Sequence, residues 1–116
     1  METRNRDIYE RIYRFAISCI EYVQTFPKTL EADIVAKQLI RSATSIGANA
    51  EEADGSESKA EFIHRLSIAK KEGKETSYWL RIANDIFNLP SPKLKQEVYE
   101  IVLIISTIIA KVKNKK

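Results

Sequence analysis

The chain has 116 residues, of which 44% are hydrophobic and 30% charged, and a formal net charge of +3. That is the size of one domain able to enclose a sizeable core, and the composition of a globular rather than a disordered chain. Three glycines and three prolines are too few for a turn-rich β-sandwich, and one cysteine excludes both an internal disulfide framework and a cysteine-based zinc site.

Breaks in the pattern fall at Phe26-Pro27-Lys28, Asp54-Gly55-Ser56 and Asn88-Leu89-Pro90-Ser91-Pro92. The stretch before the first break predicts a helix over about 5–26. Ile8, Ile12, Phe15, Cys19, Tyr22 and Phe26 step by fours and threes onto one face. Asp7 with Arg11 and Glu10 with Arg14 are acid-before-base pairs four apart, placed to support its exposed side.

The second stretch predicts a helix from about Leu30 to Asp54, with Val35, Leu39, Ala43, Ile46 and Ala50 inward. Thr29 is placed to cap it, and Glu31 and Asp33 suit the positive end of its dipole. Its centre, Ser42 to Ala48, is almost all small residues, and Gly47 costs about 1 kcal/mol of helix propensity relative to alanine. A close helix crossing at that point is the expected return.

The third helix is predicted from the capping box Ser58-Lys59-Ala60-Glu61 to about Phe87. Phe62, Leu66, Ala69, Gly73, Thr76, Leu80, Ala83 and Phe87 share its inner face. Ser91-Pro92 opens the fourth, as an N-cap followed by proline at the first helical position. Val98, Ile101, Val102, Ile105, Ile108, Ile109 and Val112 form its apolar side. Four long helices on short connections predict an all-α fold over 1–116, a single antiparallel up-down four-helix bundle. The longest near-apolar run, Ile101 to Ala110, is half the length of a membrane span, so no membrane association is expected. No apolar run follows a basic start at the N-terminus, so the reducing cytoplasm is the expected location.

Several residues exceed what a minimal core needs. Ile68, Trp79, Ile82 and Ile86 lie off the main stripe of the third helix, and Leu103 and Ile104 interrupt the polar side of the fourth. An exposed apolar surface of this kind predicts an oligomer interface. Lys59, Lys70, Lys74 and Arg81 fall within about 60° of one another around the third helix. Such a basic line fits a phosphate backbone, since its charges displace condensed counterions. Residues 91–116 add six basic residues against two acidic ones, chiefly in the tail Lys111, Lys113, Lys115 and Lys116. On the second helix Gln38, Arg41, Ser42, Ser45, Asn49 and Glu52 form a polar constellation beside the apolar stripe, and in a packed setting these groups must hydrogen-bond.

Features that point to catalysis do not hold together. Glu61-x-x-His64 has the spacing of a di-iron ligand pair, but such a site needs two copies and this is the only histidine. Cys19 lies on the apolar stripe of the first helix with no nearby histidine, as a structural thiol does. No catalytic residue, metal site or cofactor is expected.

The runs Gln38-Leu39-Ile40-Arg41-Ser42, Ser45 to Ala53, Lys59-Ala60-Glu61-Phe62-Ile63, Leu66-Ser67-Ile68-Ala69 and Lys71 to Arg81 together carry a resemblance. They resemble the small helical proteins of the 23S ribosomal-RNA intervening-sequence family. Gly47 stands where that family commonly has proline, and Ala53 where a glycine closes its Asn-x-Ala-Glu-Gly run. The resemblance implies an antiparallel four-helix bundle assembled as a ring-like homopentamer. It also implies relatedness to the accessory protein of diversity-generating retroelements, which binds nucleic acid and a reverse transcriptase. In a pentamer, +3 per chain becomes about +15, which strengthens long-range attraction to a polyanion. The expected function is non-enzymatic binding of structured RNA or DNA through the basic faces of a homo-oligomer. A protein-interaction scaffold using the surplus apolar faces is the alternative.

Overall fold

A computed structural model describes residues 3–115; Met1, Glu2 and Lys116 of the basic tail lie outside the described residues. Four helices make up the fold: α1 (Thr3–Val23), α2 (Leu30–Asp54), α3 (Lys59–Phe87) and α4 (Pro92–Lys113). No strand occurs among the described residues.

The local chemistry sets most of these boundaries. The Thr29 hydroxyl accepts from the Ala32 amide at 3.1 Å, and the Ser58 hydroxyl from the Glu61 amide at 3.0 Å. Each removes one orphan donor from a helix start. Asn88 closes α3 in the left-handed region at φ 58°, which asparagine tolerates better than most residues. Two expectations need correction. The first helix stops at Val23 rather than near Phe26, because Pro27 disfavours helical backbone just before it. The amides of Gln24, Thr25 and Phe26 instead close tight turns on the carbonyls of Glu21, Tyr22 and Val23. Ser91 takes the cap position of α4, with Pro92 first in the helix, but its hydroxyl makes no cap bond. It is buried beside Tyr22, whose hydroxyl donates to the Leu89 carbonyl at 2.6 Å.

Each helix packs on two others: α1 on α2 and α4, and α3 on α2 and α4, the α2–α3 pair being the most extensive. The resulting body measures 51 × 21 × 19 Å. The predicted stripes turn inward together. Ile12, Leu39, Ile46, Leu80, Ile101 and Ile105 are fully buried in one core. Burying each such side chain contributes about 1.5–3 kcal/mol, and truncating Leu80 or Ile105 to alanine would cost about 2–5 kcal/mol.

Two glycines set the closest approaches. A Cβ at Gly47 would stand 3.3 Å from Ile12 Cγ2, which is the crossing of α1 on α2 expected from the small-residue run. A Cβ at Gly73 would stand only 2.7 Å from Val102 Cγ2, so α3 and α4 meet here more tightly still. Tyr22 meets Phe26 edge to face at 5.2 Å between ring centroids, and Phe26 meets Phe87 at a tilt at 5.1 Å, which ties the chain after α1 to the end of α3.

Candidate functional site

The polar constellation of α2 divides between buried and exposed groups, and its partners come from α3. Ser42 is buried and accepts a hydrogen bond from the Thr76 hydroxyl at 2.8 Å, pinning α2 to α3 inside the core. Further out, Arg41 donates to Gln38, Glu72 and Glu75. Glu75 also accepts from the Trp79 indole at 3.0 Å. The Trp79 and Arg41 bonds, in that order, hold the Glu75 carboxyl below its ordinary range. Asn49 donates to the Ser45 carbonyl at 2.9 Å, and Arg65 reaches its side-chain oxygen at 3.4 Å. Glu52 is exposed and its side chain forms no hydrogen bond among the described residues. The arrangement is a brace between two helices.

A second brace joins α1 to α4. Arg11 does not pair with Asp7 as its spacing predicts; it donates two hydrogen bonds to Glu97, at 3.0 and 2.7 Å, and one to Glu100 at 2.9 Å. Glu10 does pair with Arg14, at 3.0 Å. The Glu100 carboxyl is held low, first by the Gln96 amide and then by Arg11.

These two braces take up four of the glutamates of α3 and α4. Glu72 and Glu75 of α3 turn toward α2, while Glu97 and Glu100 of α4 turn toward α1. The side where α3 meets α4 carries mainly cations, with the exposed Asp85 near its Arg81 end. Lys70 and Lys74 line a groove of about 350 Å³ between the two helices, together with Tyr99, Val102, Leu103 and Ser106. Lys59 is exposed and donates to the Lys115 carbonyl at 2.6 Å, which places it beside the end of α4. Arg81 is exposed further along the same face, and Lys95 of α4 lies in an adjoining hollow with Asn84 and Gln96. Lys70, Lys74, Arg81 and Lys95 form no ion pair among the described residues.

The six residues expected at an oligomer interface have unequal exposure. Ile86 and Leu103 are 64% and 49% exposed. Ile68 and Ile82 are half-buried. Trp79 and Ile104 pack against the core of their own chain. Sequence periodicity alone missed a second apolar groove, of about 320 Å³, between α1 and α2, where Tyr13 is 61% and Ile17 40% exposed. It also missed Tyr99 and Lys95 on the α3–α4 side. The spacing 95, 99, 102, 106 and 113 on one flank of α4 carries that information, once Val102 is known to face α3.

The groups considered for catalysis lie apart. Cys19 is fully buried, and burial pushes its thiol up to about 12, leaving no nucleophilic thiolate near neutral pH. His64 and Glu61 are exposed, and no cluster of three or more metal-binding side chains occurs among the described residues. No described helix is long and apolar enough to cross a membrane.

The family model described as 23S rRNA-intervening sequence protein matches residues 4–110. The chain belongs to that family. Among solved structures it is similar to a protein of unknown function from the S23 ribosomal protein family of Bacteroides thetaiotaomicron. The two are 29% identical with a TM-score of 0.84, covering 93% of this chain and 99% of the other. Comparison with curated proteins finds no match.

Proposed function

We propose that this chain is a non-enzymatic, homo-oligomeric member of the family that binds structured nucleic acid through the basic face of α3. The observation that carries the reading is the flank shared by α3 and α4, where lysines and an arginine follow one another while the braces with Arg41 and Arg11 hold the glutamates elsewhere. Unpaired cations in a line are what counterion displacement from a phosphate backbone requires. The family's name makes RNA the first ligand to test. The reading includes an up-down antiparallel order of helices, supported by cross-helix pairs whose numbers fall on one helix as they rise on the other: Ser42 with Thr76, Asn49 with Arg65. It also includes assembly as a ring-like homopentamer in the cytoplasm, where a lone buried thiol needs no oxidising partner.

The test is binding of the purified protein to a folded RNA and to duplex DNA over a salt series, with native mass recorded on the same sample. Binding should weaken steeply with salt. The variant with Lys59, Lys70, Lys74 and Arg81 all changed to glutamine should stay helical, bind weakly and show a shallower salt slope. Unchanged affinity and slope in that variant reject the surface.

The second reading, a protein-interaction scaffold, is favoured by the exposure of Ile86 and Leu103. Ile86→Lys with Leu103→Lys tests it on residues that leave the core intact. A folded double variant with unchanged native mass removes them as a contact between copies.

A further inference from the structure

The α3–α4 groove holds more than charge. Its wall includes Tyr99, a residue 61% exposed whose hydroxyl has no hydrogen-bond partner among the described residues. Lys70, Lys74 and Ser77 stand across from it on α3, and Leu103 lies one turn further along α4. The absence of a side chain at Gly73 lets Val102 rest directly against α3 and form the apolar floor. From Lys59 to Arg81 the basic row runs about 33 Å along α3.

A duplex meets a protein surface with its phosphates while its bases remain stacked inside, so an exposed aromatic ring beside the cations adds nothing to duplex binding. A single strand presents phosphates and base faces together, and a row of cations beside an aromatic platform matches both. The molecule supplies its own control. Tyr13 is equally exposed, also in an apolar groove, but that groove is lined by Glu51 and by no cation among the described residues.

We propose that the α3–α4 groove is a single-strand nucleic-acid site, in which Lys70, Lys74, Arg81 and Lys95 follow the phosphates and an unpaired base stacks on Tyr99. This rests on the nucleic-acid reading above and specifies it: the groove takes unpaired nucleotides, such as the loops of a folded RNA. It assigns Leu103 to the groove, and leaves contacts between copies to Ile86 and Ile82.

The experiment compares a fluorescent oligo-uridine RNA with an RNA duplex of the same length, using the full chain, at low salt and then over a salt series. The variants are Tyr99→Ala, Tyr99→Phe and Tyr13→Ala, each checked for helicity and native mass. Removing one stacking platform should weaken oligo-uridine binding by about 5- to 100-fold and leave duplex binding unchanged. Tyr99→Phe, which keeps the ring, should stay within about twofold of the parent, as should Tyr13→Ala. If the parent binds both RNAs in a salt-dependent way but Tyr99→Ala binds as tightly as the parent, the stacking site is rejected and the basic-face reading survives. If the parent binds neither RNA even at low salt, the nucleic-acid reading fails and takes this site with it. Weaker binding by Tyr99→Ala that comes with a changed native mass assigns the groove to a contact between copies and overturns the proposal.

Discussion

The two grooves of the molecule are built alike and charged differently. One lies between α1 and α2, the other between α3 and α4; each exposes a tyrosine and an aliphatic residue one helical turn apart, Tyr13 with Ile17 and Tyr99 with Leu103. The α1–α2 groove is lined by Glu51, the α3–α4 groove by Lys70 and Lys74. The difference follows from which residue types fall on each flank of a helix. Glu72 and Glu75 fall on the flank of α3 that faces Arg41, and Glu97 and Glu100 on the flank of α4 that faces Arg11, so both pairs of glutamates are taken up in helix-to-helix braces away from the groove.

The largest expected effect is on binding. Changing Lys70, Lys74, Arg81 and Lys95 to glutamine should lower the salt slope for single-stranded RNA by about 0.7 for each phosphate left without its cation, and cost about tenfold or more in affinity at low salt. Glu51→Gln on the other groove should move neither quantity appreciably, and fluorescence titration over a salt series reads both.

Next come the glycines. Gly73→Ala places a Cβ 2.7 Å from a valine methyl, and the resulting overpacking outweighs the alanine's helix propensity, for a net destabilisation of about 1–2 kcal/mol. At Gly47 the separation is 3.3 Å, and a small shift of Ile12 leaves Gly47→Ala within about 0.5 kcal/mol of the parent. Urea unfolding of the two variants separates a tight α3–α4 crossing from a looser α1–α2 one.

Smaller again is the brace itself. Arg41→Ala should cost about 1 kcal/mol, since the arginine itself is only half covered and water screens its bonds to the two glutamates. The sign of its pH dependence follows from Glu75. Because the folded state holds that carboxyl low, its contribution is present above the ordinary carboxylate range and is lost as pH falls through the depressed value. The difference in melting temperature between the parent and Glu75→Gln should therefore narrow on acidification from about pH 6 toward pH 3. The smallest effect concerns Cys19, which faces the core from α1. A thiol reagent near neutral pH should label it only as fast as the fold opens, and labelling at the rate of a free thiol would contradict the packing.

Much of the architecture was legible because it depends on local chemistry. Thr29 and Ser58 cap as their positions predict, and the stripes of α2 and α3 are buried along their centres. What could not be read locally is the choice between competing partners. Asp7 lies four residues before Arg11, yet two glutamates on α4 offer a bidentate bond and a third hydrogen bond, which a single surface pair does not match. Ser91 has the residue type and position of a cap, but its side chain is taken inward beside Tyr22. The basic line on α3 was visible from its spacing; that α4 adds Tyr99 and Lys95 to the same flank depends on the register between helices, which Gly73 and Val102 fix.

The most direct test of the central claim is a lysine-acetylation footprint of the whole protein, read by mass spectrometry with and without oligo-uridine RNA at low salt. A site on the α3–α4 flank predicts that Lys70, Lys74 and Lys95 become protected, while Lys37, exposed on α2, reacts as before. Equal protection of Lys37, or unchanged reactivity of Lys70 and Lys74 under conditions where the RNA is bound, would contradict it.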